Sequence, residues 1–314
     1  MKKISRIVLV LLVAVLMTSV CTSALAEWTW NERVEIMVPA GEGGGLDTTI
    51  RKFSTYLSKA LGTTITVQNK SGSVGVDGYV WAKNQTNNGF AFQFTAPSAM
   101  LSDAQGLFPG FKLRDILHPV SGLVQAEGIL FGREGAPWND INELIAYAKD
   151  HRVTVAIDSP NGISGALMRE FEEAAGVKFT WITSDSSEAY VSVISGDIDI
   201  CLNTWSDAGA YVGNGLTALV VCAEQRNPAY PDVVCTGELG LNTTFGYWRV
   251  FTALEGTPQE AIDSFEAAVH EAAQDPEWVE WLAGNGMTND YLWSQAELAE
   301  VIDSVYDFVE NSAK

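Results

Sequence analysis

Apolar side chains alternate over residues 34–38, with Val34, Ile36 and Val38 on one face, and this spacing predicts a strand. A glycine loop follows. A helix is then predicted over 49–61, carrying Phe53, Tyr56, Leu57 and Ala60 on one face and closed by Gly62. The order repeats with a strand at 63–67, a glycine- and hydroxyl-rich loop at 69–75 and a helix at 76–84. A third strand, 90–95, ends in Ala96-Pro97-Ser98. The long extended run 120–131 is suited to carrying the chain into a second lobe. There the pattern predicts a helix at 141–149, a strand at 153–157, a polar loop at 158–165 and a helix at 166–175. A strand at 179–183, a helix at 188–195 and strands at 198–202 and 216–223 complete that half. Strand 248–254 would return the chain to the first lobe, and helices at 259–273, 276–283 and 295–311 close it. Strands that end in small polar loops before helices predict an α/β fold with two mostly parallel sheets flanked by helices. Ligands bind off the carboxyl ends of such strands. The implied division is 27–124 with 246–314 as lobe 1 and 125–245 as lobe 2, joined by a two-strand hinge.

Composition narrows the chemistry. Lys2, Lys3 and Arg6 precede an apolar run and then Ala24-Leu25-Ala26, which reads as a secretory signal over 1–26. Cys21 offers a lipidation alternative, but Thr18-Ser19-Val20 makes a poor lipidation box, so a soluble periplasmic or extracytoplasmic protein is expected. The chain holds 19 basic and 39 acidic residues, a net charge of −20, which argues against nucleic acid or anionic lipid as a partner. Beyond the leader, Cys201, Cys222 and Cys235 form no zinc spacing. They are expected as buried free thiols or as one Cys222–Cys235 bond with a thiol to spare.

The loop Gly43-Gly44-Gly45 before a helix can aim free N–H groups and the positive helix end at one spot, and so hold an anion without a cation. Asp47 or Thr48 can cap that helix, and Asp47 stands four residues before Arg51. A nucleotide is a poor guess, because Leu46 stands where a dinucleotide fingerprint started at Gly41 needs its third glycine. A carboxylate or another small anion fits better. The alternative is a tight turn with no ligand.

The order of motifs resembles the extracytoplasmic solute receptors of tripartite tricarboxylate transporters, the TctC or Bug-type binding proteins. The residues that carry the likeness are the strand, Pro39 and glycine loop with Asp47 and Arg51, and Asn69-Lys70-Ser71-Gly72. Further along are the helix from Leu144 to Lys149, Gly196-Asp197-Ile198-Asp199 and Pro231-Asp232-Val233. Trp248, Gly256-Thr257-Pro258 and Asp275-Pro276-Glu277 complete the set. The resemblance implies a two-lobed periplasmic binding protein of the type II kind. Such a protein closes over a mono-, di- or tricarboxylate and delivers it to a membrane permease, acting as a monomer with no cofactor, no metal and no catalysis. It also implies that the ligand carboxylate is held by loop backbone, hydroxyls and water in segments 41–48, 69–74 and 159–164. Against the family pattern, Glu42 and Leu46 replace residues usually small or hydroxylic, and Arg249 follows Trp248 where an aromatic is common.

The ligand-binding candidates are therefore Gly43, Gly44, Gly45, Leu46, Asp47, Thr48, Ser71, Ser73 and Ser98 from the first lobe. Ser159, Asn161, Ser164, Trp181, Thr183, Asn203 and Asp207 come from the second, and Arg249 from the returning strand. Ser159, Asn161 and Ser164 could instead cap the helix after them. Trp181 could stack on a flat ligand or pack in the core. Trp205 either lines the cleft with Asn203 and Asp207 or packs at the hinge. Arg249 could fork onto a carboxylate with two hydrogen bonds, or pair with a surface acid. Other classes are a ligand-sensing receptor for a membrane sensor and a secreted serine hydrolase using Ser164. The hydrolase is disfavoured because Gly162-Ile163-Ser164-Gly165-Ala166 lacks the last glycine of a nucleophile elbow, and because His118, His151 and His270 are poorly placed.

Overall fold

A computed structural model describes residues 28–72, 75–184, 186–241 and 246–312. The leader, Cys21 and Ser73 lie outside the described residues. The first half runs β1 (Val34–Val38), α1 (Gly45–Leu61), β2 (Ile65–Asn69), α2 (Val76–Ala82), β3 (Ala91–Thr95), α3 (Pro97–Ala104) and β4 (Leu117–Ala126). The chain then passes through β5 (Gly128–Arg133), α4 (Ile141–Ala148), β6 (Thr154–Ile157), α5 (Ile163–Ala175), β7 (Thr180–Thr183) and α6 (Ser186–Ser195). Next come β8 (Ile200–Asn203), α7 (Trp205–Ala208) and β9 (Leu216–Cys222). It returns through β10 (Tyr247–Leu254) and ends in α8 (Gln259–Ala272), α9 (Pro276–Gly284), β11 (Met287–Thr288) and α10 (Gln295–Ser312).

Two sheets result, ordered β11-β4-β10-β3-β1-β2 and β7-β6-β8-β5-β9. Both are mixed, which corrects the expectation of mostly parallel sheets. Parallel pairing is confined to strands joined through helices, β1 with β2 and β3, and β6 with β7 and β8. Antiparallel pairing enters with the strands that carry the chain between sheets. The outgoing β4 meets the returning β10 running the other way, over eight residue pairs from Tyr247↔Ala126 to Leu254↔Leu117. In the second sheet β5 is antiparallel to both β8 and β9. Only Glu127 separates β4 in one sheet from β5 in the other. The extended run predicted at 120–131 is thus two strands bent at a single residue.

What fixes α1 is its apolar stripe. Ile50, Phe53, Leu57 and Leu61 are buried at helical spacing. Phe53 packs 4.8 Å from the Trp278 ring and 6.1 Å from Phe251. Each such side chain contributes about 1.5–3 kcal/mol when fully buried. Gly62 ends the helix in the left-handed region, at φ 67°. One face of α1 is thus seated on α9 and β10. Trp281 stacks on Trp278 at 5.2 Å, so these C-terminal tryptophans are packing residues.

Several boundaries differ from the sequence expectation. α1 begins at Gly45 and α5 at Ile163, four and three residues early, because glycines 44 and 162 serve as N-caps without any side-chain hydrogen bond. Asp47 and Ser164 therefore lie inside first turns and are not N-caps. α3 begins already at Pro97, inside the Ala96-Pro97-Ser98 stretch read from the sequence as the end of the third strand. Pro97 at its first position suits a helix start, and Asp103 ties its end down by accepting from the Leu113 and Arg114 N–H groups and the Tyr306 hydroxyl, each at 2.8 Å. Cys201, Cys222 and Cys235 are all buried free thiols.

Candidate functional site

The two sheets face each other across a cleft of about 430 Å³. From the first side come Ala40, Gly44, Gly45, Leu46 and Ala96, and from the returning strand Tyr247 and Arg249. Across from them stand Asp158, Ser184, Asn203, Thr204, Ser206 and Asp207.

The glycine loop is held in shape by a chain of hydrogen bonds. Gly43 has φ 78°, and its N–H donates to Asp47 Oδ2 at 2.9 Å. Asp47 Oδ1 accepts from Arg51 Nε at 2.8 Å, Arg51 Nη2 donates to Asn69 Oδ1 at 2.8 Å, and Asn69 Nδ2 donates to the Ala40 carbonyl at 3.1 Å. Burial works against the Asp47 carboxylate, but the Arg51, Gly43 and Asn69 donors outweigh it and hold its pKa below the ordinary value. Asp47 is thus committed to the loop. Thr48 turns its hydroxyl back to the Gly44 and Gly45 carbonyls, at 3.1 and 3.2 Å. What the loop offers the cleft is backbone: the first-turn amides of α1, which have no intrahelical partner, and the positive end of its dipole.

Arg249 closes on that same helix start. It sits on β10 two residues after Tyr247, so both point to one face, while Trp248 and Val250 turn the other way into the main apolar core. The ladder to β4 slips between Arg249 and Val250, whose partners are Val124 and Gly122, leaving Leu123 opposite neither. Such an irregularity re-aims a side chain. The Arg249 guanidinium reaches Thr49 Oγ1 through Nη1, with Met287 Sδ at 3.4 Å, and Thr49 in turn donates to the Gly45 carbonyl at 2.7 Å. The side chain is only 8% exposed. No carboxylate lies within ion-pair distance of it among the described residues. Burial pushes its pKa down to about 10, and the Asp207 charge offsets this only in part. Two positive features, a buried guanidinium and a helix N-terminus, therefore converge with no adjacent negative partner.

On the opposite side the Ser164 hydroxyl is turned back into its own loop. Ser164 Oγ bonds to the Asp158 carboxylate and accepts from the Ser159 N–H at 3.2 Å. This leaves Asp158, not Ser159 or Ser164, lining the cleft. None of the hydrogen bonds of Ser164 is to a histidine: His151 stacks on Tyr147 and His270 meets Ser121. Asn161 is exposed, and its carbonyl accepts from Gln105 Nε2 at 2.8 Å, a contact between the two halves. Asn203 is buried at the end of β8 and accepts from the Thr204 N–H at 3.2 Å. Asp207 accepts from Thr204 Oγ1 at 2.8 Å. Trp181 is committed elsewhere, donating to Glu172 at 2.8 Å beside the Arg169 guanidinium. Thr183 is exposed at the end of the edge strand β7. Exposed Ser71 and half-buried Ser98 lie outside the cleft lining, as does Trp205, which stacks on Tyr230 at 4.5 Å.

Of the sequence candidates, the cleft gathers Gly44, Gly45, Leu46, Asn203, Asp207 and Arg249. Tyr247 and Asp158 were missed as individual residues. The two-residue step from Arg249 was signal enough for Tyr247. Its hydroxyl is held well above its ordinary range by burial first, then by Asp158, Cys222 and Asp207, against a smaller opposing hydrogen bond with Ser164.

The profile of the tripartite tricarboxylate transporter family receptor, TctC, matches residues 49–306. The chain belongs to this family. It is 26% identical over 293 residues to a UPF0065 protein of Bordetella pertussis, covering 91% of this chain and 90% of that protein. Among solved structures it is similar to a TctC solute-binding protein from Polaromonas without ligand, at 25% identity and TM-score 0.77, covering 90% of this chain and all of that one. MatC from Rhodopseudomonas palustris with bound malate shares the fold at 23% identity and TM-score 0.72, with coverage of 90% and 100%. The TctC chain is thus a two-lobed periplasmic solute-binding fold, and its family consists of solute-binding receptors. Among the described residues no helix is long and apolar enough to cross a membrane.

Proposed function

We propose that this receptor is exported, captures a small organic acid between lobe 1 (27–124 with 246–314) and lobe 2 (125–245), and delivers it as a closed monomer to a tripartite membrane permease. The observation that carries this reading is Arg249: buried, without a carboxylate partner among the described residues, and set against a helix start that no side chain caps. A buried charge lacking its counter-ion is expensive, and an incoming carboxylate supplies one. Guanidinium and backbone N–H groups both form charge-assisted hydrogen bonds to a carboxylate, each of about 1.5–3 kcal/mol. The bound malate of MatC supports the ligand class. Closure would bend the chain at Glu127 and between β9 and β10, the two places where it passes between sheets.

Titration calorimetry of the purified protein against mono- and dicarboxylates, sugars and metal ions tests the capture step. Binding of a carboxylate, and of no sugar or metal ion, is expected. A sugar or cation that binds while every carboxylate fails contradicts it. For delivery, uptake of the bound acid should be lost when the neighbouring permease genes are deleted.

A further inference from the structure

Charges of both signs line the cleft. Arg249 and the start of α1 are positive, and Arg249 Nη2 has no hydrogen bond among the described residues. Asp158 and Asp207, both exposed, are negative, and the Asp207 charge acts on Arg249 itself. Neither acid has an ion-pair partner among the described residues. Asp158 uses Oδ1 for the Ser159 N–H and the Ser164 hydroxyl, and Asp207 uses Oδ2 for the Thr204 hydroxyl. Each therefore keeps a second oxygen. Both charges act on the Tyr247 hydroxyl, which stands two residues from Arg249 on the same face. In a chain of net charge −20 these acids add to a field that already repels anions.

Resting on the carboxylate reading above, we infer that the ligand is an amino acid in the broad sense: a carboxylate on Arg249 and a protonated amine on Asp158 and Asp207. A simple dicarboxylate would bring its second charge toward two carboxylates, and like charges repel. An ammonium in that place has three donors for the two free carboxylate oxygens and the neighbouring hydroxyls of Ser206 and Tyr247. The inference selects among small acids by the sign of their far end.

Calorimetry with matched ligands tests it: γ-aminobutyrate, succinate and butyrate; ε-aminocaproate, adipate and caproate; and norleucine against caproate. At least one aminocarboxylate should bind ten-fold or more tighter than its dicarboxylate and monocarboxylate partners. In the Asp158→Asn, Asp207→Asn double variant that preference should shrink to within a few-fold, because the amides keep the loop hydrogen bonds but lose the charge. If dicarboxylates bind tighter to the wild type, the inference is overturned while carboxylate capture stands. If the double variant keeps the full preference for the amine, the acids named here are the wrong ones. If no carboxylate of any kind binds, both readings fall together. The wild-type comparison needs no variant to fold.

Discussion

The guanidinium of Arg249 lies directly on the backbone of Gly45, so close that a Cβ built on that glycine would stand 2.8 Å from Nη2. The first residue of α1 and a strand residue 204 positions later thus share one small volume in the lining of the cleft. That contact requires glycine at position 45, for reasons of space and not of backbone angle.

Gly45→Ala therefore separates binding from folding. Alanine is the better helix former by up to about 1 kcal/mol, so the melting temperature should hold or rise. The new methyl displaces the guanidinium, and carboxylate affinity should fall at least ten-fold by calorimetry. Unchanged affinity would show that the contact is incidental.

Arg249→Met should act in the same direction and further. Two lost charge-assisted hydrogen bonds of about 1.5–3 kcal/mol each predict a loss of at least a hundred-fold in carboxylate affinity. The ligand-free protein should be no less stable, because the variant removes a buried charge that has no ion-pair partner among the described residues. A large drop in melting temperature without ligand would mean that the arginine serves the fold instead.

Asp47→Asn probes the brace behind the loop. Loss of this first-turn negative charge should cost about 0.3–1 kcal/mol. The Asp47 pKa is depressed below its ordinary 3.8, so its contribution is present above that value and lost as pH falls through the folded-state pKa. Melting curves of the two proteins should differ near neutrality and converge in strong acid. A constant gap would contradict the sign.

Glu127, at the bend between β4 and β5, behaves oppositely. It is buried and accepts hydrogen bonds from the Tyr230 hydroxyl and from Asn227 Nδ2 at 2.9 Å, with no ion pair among the described residues. Burial raises its pKa above the ordinary 4.5, Tyr230 and Asn227 pull it down, and the Asp290 charge adds to the rise. A raised carboxyl contributes stability below 4.5 that is lost as pH climbs through the folded-state pKa. Wild type should lose melting temperature relative to Glu127→Gln over that rise. Parallel profiles would place the ionisation elsewhere.

Much of this architecture was legible in the chain. The stripe of Ile50, Phe53 and Leu57 announced α1, and the alternation at Val34, Ile36 and Val38 announced β1. Local periodicity could not show that the returning strand pairs antiparallel to β4, because pairing direction is set by the path between sheets. At the site, the glycine loop and Arg249 were visible as residue types. The burial of Arg249 depends on a slipped ladder opposite Leu123 and on Thr49 from another element, neither of which leaves a local mark. Ser159 and Ser164 looked ligand-facing because they are hydroxyls in a polar loop, yet the Ser159 N–H and the Ser164 hydroxyl bond within the loop, and Asp158 is the residue of it that lines the cleft. Trp181 is held by Glu172, a pairing formed only once α5 packs beside β7.

The most direct measurement is a crystal structure with a bound small acid. It should show carboxylate oxygens at hydrogen-bonding distance, about 2.7–3.2 Å, from both Arg249 and the first-turn amides of α1. An acid seated elsewhere in the protein, with Arg249 still facing an empty corner of the cleft, would contradict the account.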